Sequence, residues 1–194
     1  MNNITLDIKT QSSEVKEIKR DIANRVGNYI NYIKMEGSVS VWPHLEAGEV
    51  YEFDFAGNID AEFGSRHYGL VIATSEDNDP LVLVAPIKTD KYGPHAASDV
   101  AVGQIGNGAN YRNALVVINQ VKSISKLKIY PESIIGKSRE KVIELRESSR
   151  ESRRHNLQNP ELVCKLDDNT FSLVTNCLIR YIKTGKISFS SSEN

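Results

Sequence analysis

The sequence predicts a mainly β fold with α additions: a small antiparallel β-barrel carrying a C-terminal helix and an extra N-terminal helix. Three observations carry this. Between positions 48 and 130 the apolar residues either alternate with polar ones or form short unbroken runs rich in β-branched side chains, which is strand spacing. These runs follow one another closely, with polar turns and no helical period between them, so they pair antiparallel and close up instead of forming a parallel sheet. Near both ends of the chain the apolar spacing changes to three and four, as in an amphipathic helix.

The first element is a helix over 13–34, with Val15, Ile18, Ile22, Val26, Ile30 and Ile33 on one face, Glu14 and Glu17 in the first turn, and Ser12 or Ser13 as cap. Acids and bases mix on its polar face, which fits packing on the domain or on a partner chain better than lying on a membrane. After Gly37 and Pro43, EVYEFDF sets Tyr51, Phe53 and Phe55 on one face and Val50, Glu52 and Asp54 on the other, the pattern of a half-buried strand. YGLVIAT and PLVLVAPI, joined by SEDNDP, read as a hairpin.

The stretch 88–113 is a long connection with at most one short strand, DVAVGQI. Its GQIGNG has no GKS or GKT ending and opens no helix, so it carries no phosphate-loop reading. NALVVINQVKSI is a further strand or a bent pair. SREKVIELRESSRESRRH (138–155) keeps apolar residues only at Val142, Ile143 and Leu145, as in a solvated helix of Glu/Arg pairs, with a basic RNA-gripping arm as the alternative. DDNTFSLVTNCLIRYIKTG reads as a C-terminal helix with an Asp or Asn cap, Phe171, Val174, Leu178 and Tyr181/Ile182 on one face, and Gly185 as stop. The division expected is a helical extension over 1–44 and a barrel domain over 45–194, with a charged helical insertion at about 138–165.

The 194 residues, 40% apolar and 25% charged, suit one soluble globular core with attachments. No apolar run reaches the roughly 18 residues of a membrane span and the first residues lack the apolar core of a signal peptide, so a cytoplasmic protein without membrane contact is expected. Cys164 and Cys177 show no CxxC pattern and read as buried thiols. His44, His67, His95 and His155 are scattered without ligand spacing, so neither metal nor cofactor is expected. The net charge of -1 conceals an uneven layout: from Leu45 to Val100 there are eleven acids but only Arg66, Lys88 and Lys91 as bases, whereas Ala101 to Lys137 is basic. In GSRHYGLVI, Arg66 and His67 stand directly before an apolar run, where a cation in an acidic segment has a specific use.

Three stretches in this order resemble the MazF/PemK toxins of bacterial type II toxin–antitoxin systems. GEVYEFDF (48–55) is similar to the family's opening strand, AEFGSRHYGLVI (61–72) to its SEQxGxRPxLVI element, and the pair LVLVAPIKT and NQVKSISKLKI to its VAPIT-like strand end and DQVRTIDKxRL segment. The likeness covers about 47–130 and the last helix. It implies an SH3-like (CcdB/PemK-like) barrel, a homodimer, a cognate antitoxin as partner, and metal-independent cleavage of single-stranded RNA by 2′-hydroxyl attack on the adjacent phosphate.

The resemblance also implies the site residues. Counting without a gap from Gly48, the family's arginine position falls on His67, with Tyr68 in place of the proline and Arg66 one residue earlier; the family's threonine position falls on Lys88, with Thr89 one later. The catalytic set is therefore His67, Arg66, Thr89 and Lys88, with His67 handling the proton, Arg66 pairing with the phosphate, and Lys88 stabilising the phosphorane beside a hydrogen bond from Thr89. Because strand side chains alternate, Arg66 and His67 share a site only across a bulge or loop, and so do Lys88 and Thr89. Glu62, Phe63, Lys91, Gln120 and Lys122 are the RNA-binding candidates: Glu62 and Gln120 by reading base edges, Phe63 by stacking, the lysines by charge. Two other readings stand beside this one, a non-catalytic RNA- or protein-binding member of the same fold and a CcdB-like topoisomerase inhibitor.

Overall fold

The computed structural model describes residues 30, 42–55, 66–75, 79–90, 96, 98–106, 112–130, 140–141 and 159–185. The chain divides into two units, Met1–Ser38 and Val39–Asn194, and the architecture below is that of the second. Its strands are β1 (Glu49–Asp54), β2 (Arg66–Val71), β3 (Leu81–Thr89), β4 (Asp99–Ile105), β5 (Arg112–Val117), β6 (Lys122–Ser125) and β7 (Cys164–Lys165), followed by helix α1 (Asp168–Thr184). The helix expected over 13–34 and the charged segment expected over 138–155 lie outside the described residues, but for Ile30, Glu140 and Lys141.

Among the described residues all strand pairs are antiparallel, in the order β4-β5-β3-β2-β1-β7, and β6 also pairs with β3. Of the further strand or bent pair expected from NALVVINQVKSI, the chain forms the pair, β5 and β6 joined by a 3-10 turn, Ile118–Gln120. Together they line one edge of β3, β5 along Ile87–Thr89 and β6 along Leu81–Val84. DVAVGQI is indeed a strand, β4, with a register shift between Ala101 and Gln104.

Alternation along the strands divides the apolar side chains between two clusters. Val50, Leu70, Ala85, Ile87 and Val116 pack with Val174 and Cys177 of α1, while Tyr51, Phe53, Phe55, Val71, Val82, Val84 and Ile124 form the second cluster. Val100, Val102 and Ile105 of β4 and Val163 beside β7 belong to the same α1 cluster, although β4 and β7 are the two ends of the strand order. Edges that share one core require a curled sheet, so the architecture is a half-barrel wrapped against α1. After β6 a second 3-10 turn holds Lys126, wholly buried, whose Nζ donates to Pro43 O at 2.8 Å and ties the segment before β1 to this turn. The chain then runs beside β1, Tyr130 N donating to Glu52 O at 2.8 Å.

Two expectations are corrected. Strand β1 is buried on both faces: Glu52 is 1% and Asp54 2% exposed, because Arg66 and the chain at Tyr130 cover them. In α1, Phe171, Val174, Cys177, Leu178 and Tyr181 face the core, but Ile182 is 73% exposed, since 100° per residue carries it past the arc that Tyr181 occupies. Both cysteines are free thiols, and burial pushes both pKa values up. Among the described residues no helix is long and apolar enough to cross a membrane.

Asp167 caps α1, accepting from the N–H groups of Asn169 and Thr170 at 3.1 and 3.0 Å and from Thr170 Oγ1 at 2.7 Å. Gly185 stops the helix in the left-handed region, φ 64°, donating to Tyr181 O. The Thr170 hydroxyl, followed by the Thr170 N–H, holds the Asp167 carboxyl below its ordinary value. A lowered folded value means that the stabilisation is complete above the unfolded pKa and is lost as pH falls through the folded one. Urea midpoints followed from about pH 5 down to about pH 2 will show this acid-side loss in the wild type and less of it in Asp167→Ala.

A Cβ on Gly69 would lie 2.5 Å from Val84 Cγ1 and 2.7 Å from Phe53 Cδ2. Gly69→Ala therefore overpacks the core and will cost about 1–3 kcal/mol in urea denaturation. A variant as stable as the wild type would contradict this packing.

Candidate functional site

Strands β2 and β3 pair at Val71–Val84, Leu70–Ala85 and Gly69–Pro86. The ladder ends where Pro86 has no N–H to donate, and β3 pairs with β5 over Ile87–Thr89. Past that rung no pairing joins β2 to β3, so the faces of their remaining residues follow from alternation along each strand. Strand β2 contains no bulge, for its pairing with β1 runs unshifted from Val50–Leu70 to Asp54–Arg66.

Arg66 and His67 therefore point to opposite faces. His67 stands opposite Phe53, on the face of the second cluster, and Arg66 stands opposite Asp54, on the face of Val50 and Glu52. Alternation along β3 places Lys88 with Val84 and Pro86, and Thr89 with Ala85 and Ile87. The four catalytic candidates thus fall into two couples by face: His67 with Lys88 on one, Arg66 with Thr89 on the other. A single site that uses all four is not what this sheet builds.

Each couple contains a cation held by a buried carboxylate. Arg66 Nε donates to Glu52 Oε1 in a close ion pair, with side-chain exposures of 19% and 1%. Its guanidinium carbon also lies 3.4 Å from the centre of the Tyr130 ring. Lys88 Nζ lies 2.7 Å from Asp99 Oδ2, and Asp99 is 1% exposed against 37% for Lys88. Asp99 Oδ2 also accepts from Ala96 N at 2.9 Å. Low-dielectric surroundings strengthen such pairs and fix their geometry. His67 is half-buried and Thr89 is exposed at the strand end.

The other candidates divide similarly. Lys122, opposite Val84 on β6, has its Nζ 5.3 Å from the centre of the Phe55 ring. Val84 precedes Lys88 by four residues, so Lys122 lies about 13 Å along β3 from that strand end. Gln120 closes the 3-10 turn between β5 and β6 and is half-buried. Glu62, Phe63 and Lys91 lie outside the described residues. Among the described residues, no three His, Cys, Asp or Glu gather as a metal would require.

Sequence reasoning missed Glu52, Asp99 and Tyr130. Glu52 lay on the face taken as solvent-facing, Asp99 in a stretch taken mainly as a connection, and Tyr130 at the margin of the strand pattern. Removing the Arg66 charge takes the ion-pair partner from the buried Glu52, so Arg66→Met will destabilise by about 3–5 kcal/mol, and Glu52→Gln added to it will recover much of the loss. A urea-unfolding cycle in which the two losses simply add would show that the pair is not coupled.

Residues 46–182 match the family model described as PemK-like, MazF-like toxin of type II toxin-antitoxin system. No curated protein matches the sequence. Among solved structures, MazF (Form-I) from Deinococcus radiodurans is similar at 12% identity and TM-score 0.43, covering 73% of this chain and 98% of that one. An endoribonuclease in complex with its cognate antitoxin, from a mycobacterial species, is similar at 10% identity and TM-score 0.41, covering 72% and 96%. The assignment rests on the sequence match, which spans the whole half-barrel from before β1 into α1: the chain belongs to the PemK-like, MazF-like toxin family of type II toxin–antitoxin systems.

Proposed function

We propose that the chain is a toxin-like endoribonuclease that cleaves single-stranded RNA by attack of a ribose 2′-oxygen on the adjacent phosphate. The observation that carries this reading is the family match over 46–182. The division of the candidates between two faces supports one assignment of roles. The reaction removes a proton from the 2′-hydroxyl, gives one to the departing 5′-oxygen, and gathers negative charge on the phosphoryl oxygens. It leaves a 2′,3′-cyclic phosphate and a 5′-hydroxyl.

His67 and Lys88 meet these needs from one face. Histidine, with an ordinary pKa of about 6.5, exchanges protons near neutrality, and the Lys88 ammonium stabilises the phosphoryl charge. Arginine hardly ever deprotonates, so Arg66 serves with Thr89 as a contact to the RNA backbone from the other face. Gln120 and Lys122, with Glu62, Phe63 and Lys91, complete the RNA contacts. As a member of a toxin family, the chain is expected to work as a homodimer and to be held inactive by a cognate antitoxin protein. A second reading, a non-catalytic binding module, draws support from one observation: the Arg66 guanidinium is already engaged by Glu52 and Tyr130.

The deciding assay incubates the purified chain with long single-stranded RNA in EDTA. Wild type will cleave and leave cyclic-phosphate ends; His67→Ala will lose about 10²–10⁴-fold in rate, and Lys88→Met about as much. Arg66→Ala, made in the Glu52→Gln background so that the fold keeps most of its stability, and Thr89→Val will act mainly on RNA affinity. The opposite pattern would move the chemistry to the Arg66 face, and no cleavage of any RNA in a broad panel would leave the binding module.

A further inference from the structure

Asp99 opens β4 with a side chain almost completely removed from solvent. Its Oδ2 receives the Ala96 N–H at 2.9 Å and the Lys88 ammonium at 2.7 Å, whereas Oδ1 is buried with no hydrogen-bond partner among the described residues. Burying an unpaired carboxylate oxygen is costly, and a position needed only to accept one N–H would be served by a neutral side chain. The strand start does not depend on the carboxylate for its backbone bonds: Asp99 N donates to Ala96 O and Ile118 N to Ser98 O, each at 2.9 Å, and Asp99 pairs with Val117. What only a full negative charge provides here is a fixed counter-ion for Lys88.

We propose that Asp99 is a positioning residue that holds the Lys88 ammonium at the end of β3, oriented for the phosphoryl oxygens of RNA. The proposal rests on the reading of the chain as a ribonuclease that uses Lys88. Lysine carries three donors on a flexible stem, and its ordering costs entropy that a pre-set contact removes before the substrate arrives. One donor meets Asp99, and with its side chain 37% exposed Lys88 still reaches solvent. Charge alone gives Asp99 the opposite effect, since a carboxylate near a polyanion weakens binding. Positioning and bulk charge therefore differ in sign, and the rate and the affinity separate them.

The experiment compares full-length wild type, Asp99→Asn, Lys88→Met and the double variant. It measures single-turnover cleavage of a labelled single-stranded RNA, Kd for the same RNA with 2′-deoxy sugars, and urea-unfolding midpoints. The expected result is that Asp99→Asn cleaves at least about tenfold more slowly while its Kd is unchanged or tighter. In the Lys88→Met background, Asp99→Asn will cause no further loss of rate, and it will raise the unfolding midpoint by removing an uncompensated buried charge. Wild-type rates in Asp99→Asn, or rate losses that multiply in the double variant, would overturn the proposal. Should Asp99→Asn unfold, a midpoint in the double variant below that of Lys88→Met would also overturn it. A wild-type chain that cleaves no RNA overturns the underlying reading and this inference with it; cleavage by wild type and Asp99→Asn alike overturns this inference alone.

Discussion

Gly69 and Pro86 form the last rung between β2 and β3, and the arrangement of the candidate site follows from that rung. Phe53 and Val84 close over Gly69 so tightly that no Cβ fits, and this close approach fixes β2 between β1 and β3. Pro86 ends the ladder, and on the opposite edge the last three residues of β3 pair with β5. Because side chains alternate with a period of two, this register decides which residues share a face. A slip of one position would exchange the partners of His67 and Arg66 and reverse the faces they present.

The second feature is the use of buried carboxylates as anchors. Glu52 and Asp99 are both almost wholly removed from solvent, and each pairs with a cation near the same end of the sheet. Buried ion pairs are weak evidence for stability, because desolvation offsets most of the attraction. They are better understood as fixing direction: a guanidinium stacked on Tyr130 and an ammonium set against Asp99 lose little further freedom when an anion arrives. In an acidic part of the sequence this arrangement also keeps the few cations from being scattered on flexible stems.

Much of the fold was legible because its signals are local. The alternation of Tyr51, Phe53 and Phe55, the β-branched runs of β2 and β3, and the capping of α1 by Asp167 and Gly185 each lie within a few residues of one another. The burial of Glu52 was not legible, because its partner Arg66 is fourteen residues away and the opposing strand supplies the contact. Asp99 was hidden for the same reason, inside a stretch whose one short strand gave no hint that its first residue would face Lys88. The candidate positions themselves were visible from the family likeness, but their division into two couples depends on a long-range register that no local pattern encodes. Glu62, Phe63 and Lys91 stay proposals from sequence.

The proposed ribonuclease reaction belongs to the face that carries His67 and Lys88. The most direct measurement is a crystal structure of the chain with a single-stranded RNA made uncleavable by a 2′-deoxy sugar at the scissile position. The scissile phosphate is expected within hydrogen-bond reach of Lys88 Nζ, with the His67 ring beside the 2′-carbon. A phosphate seated instead between Arg66 and Thr89, on the opposite face of the sheet, would contradict it.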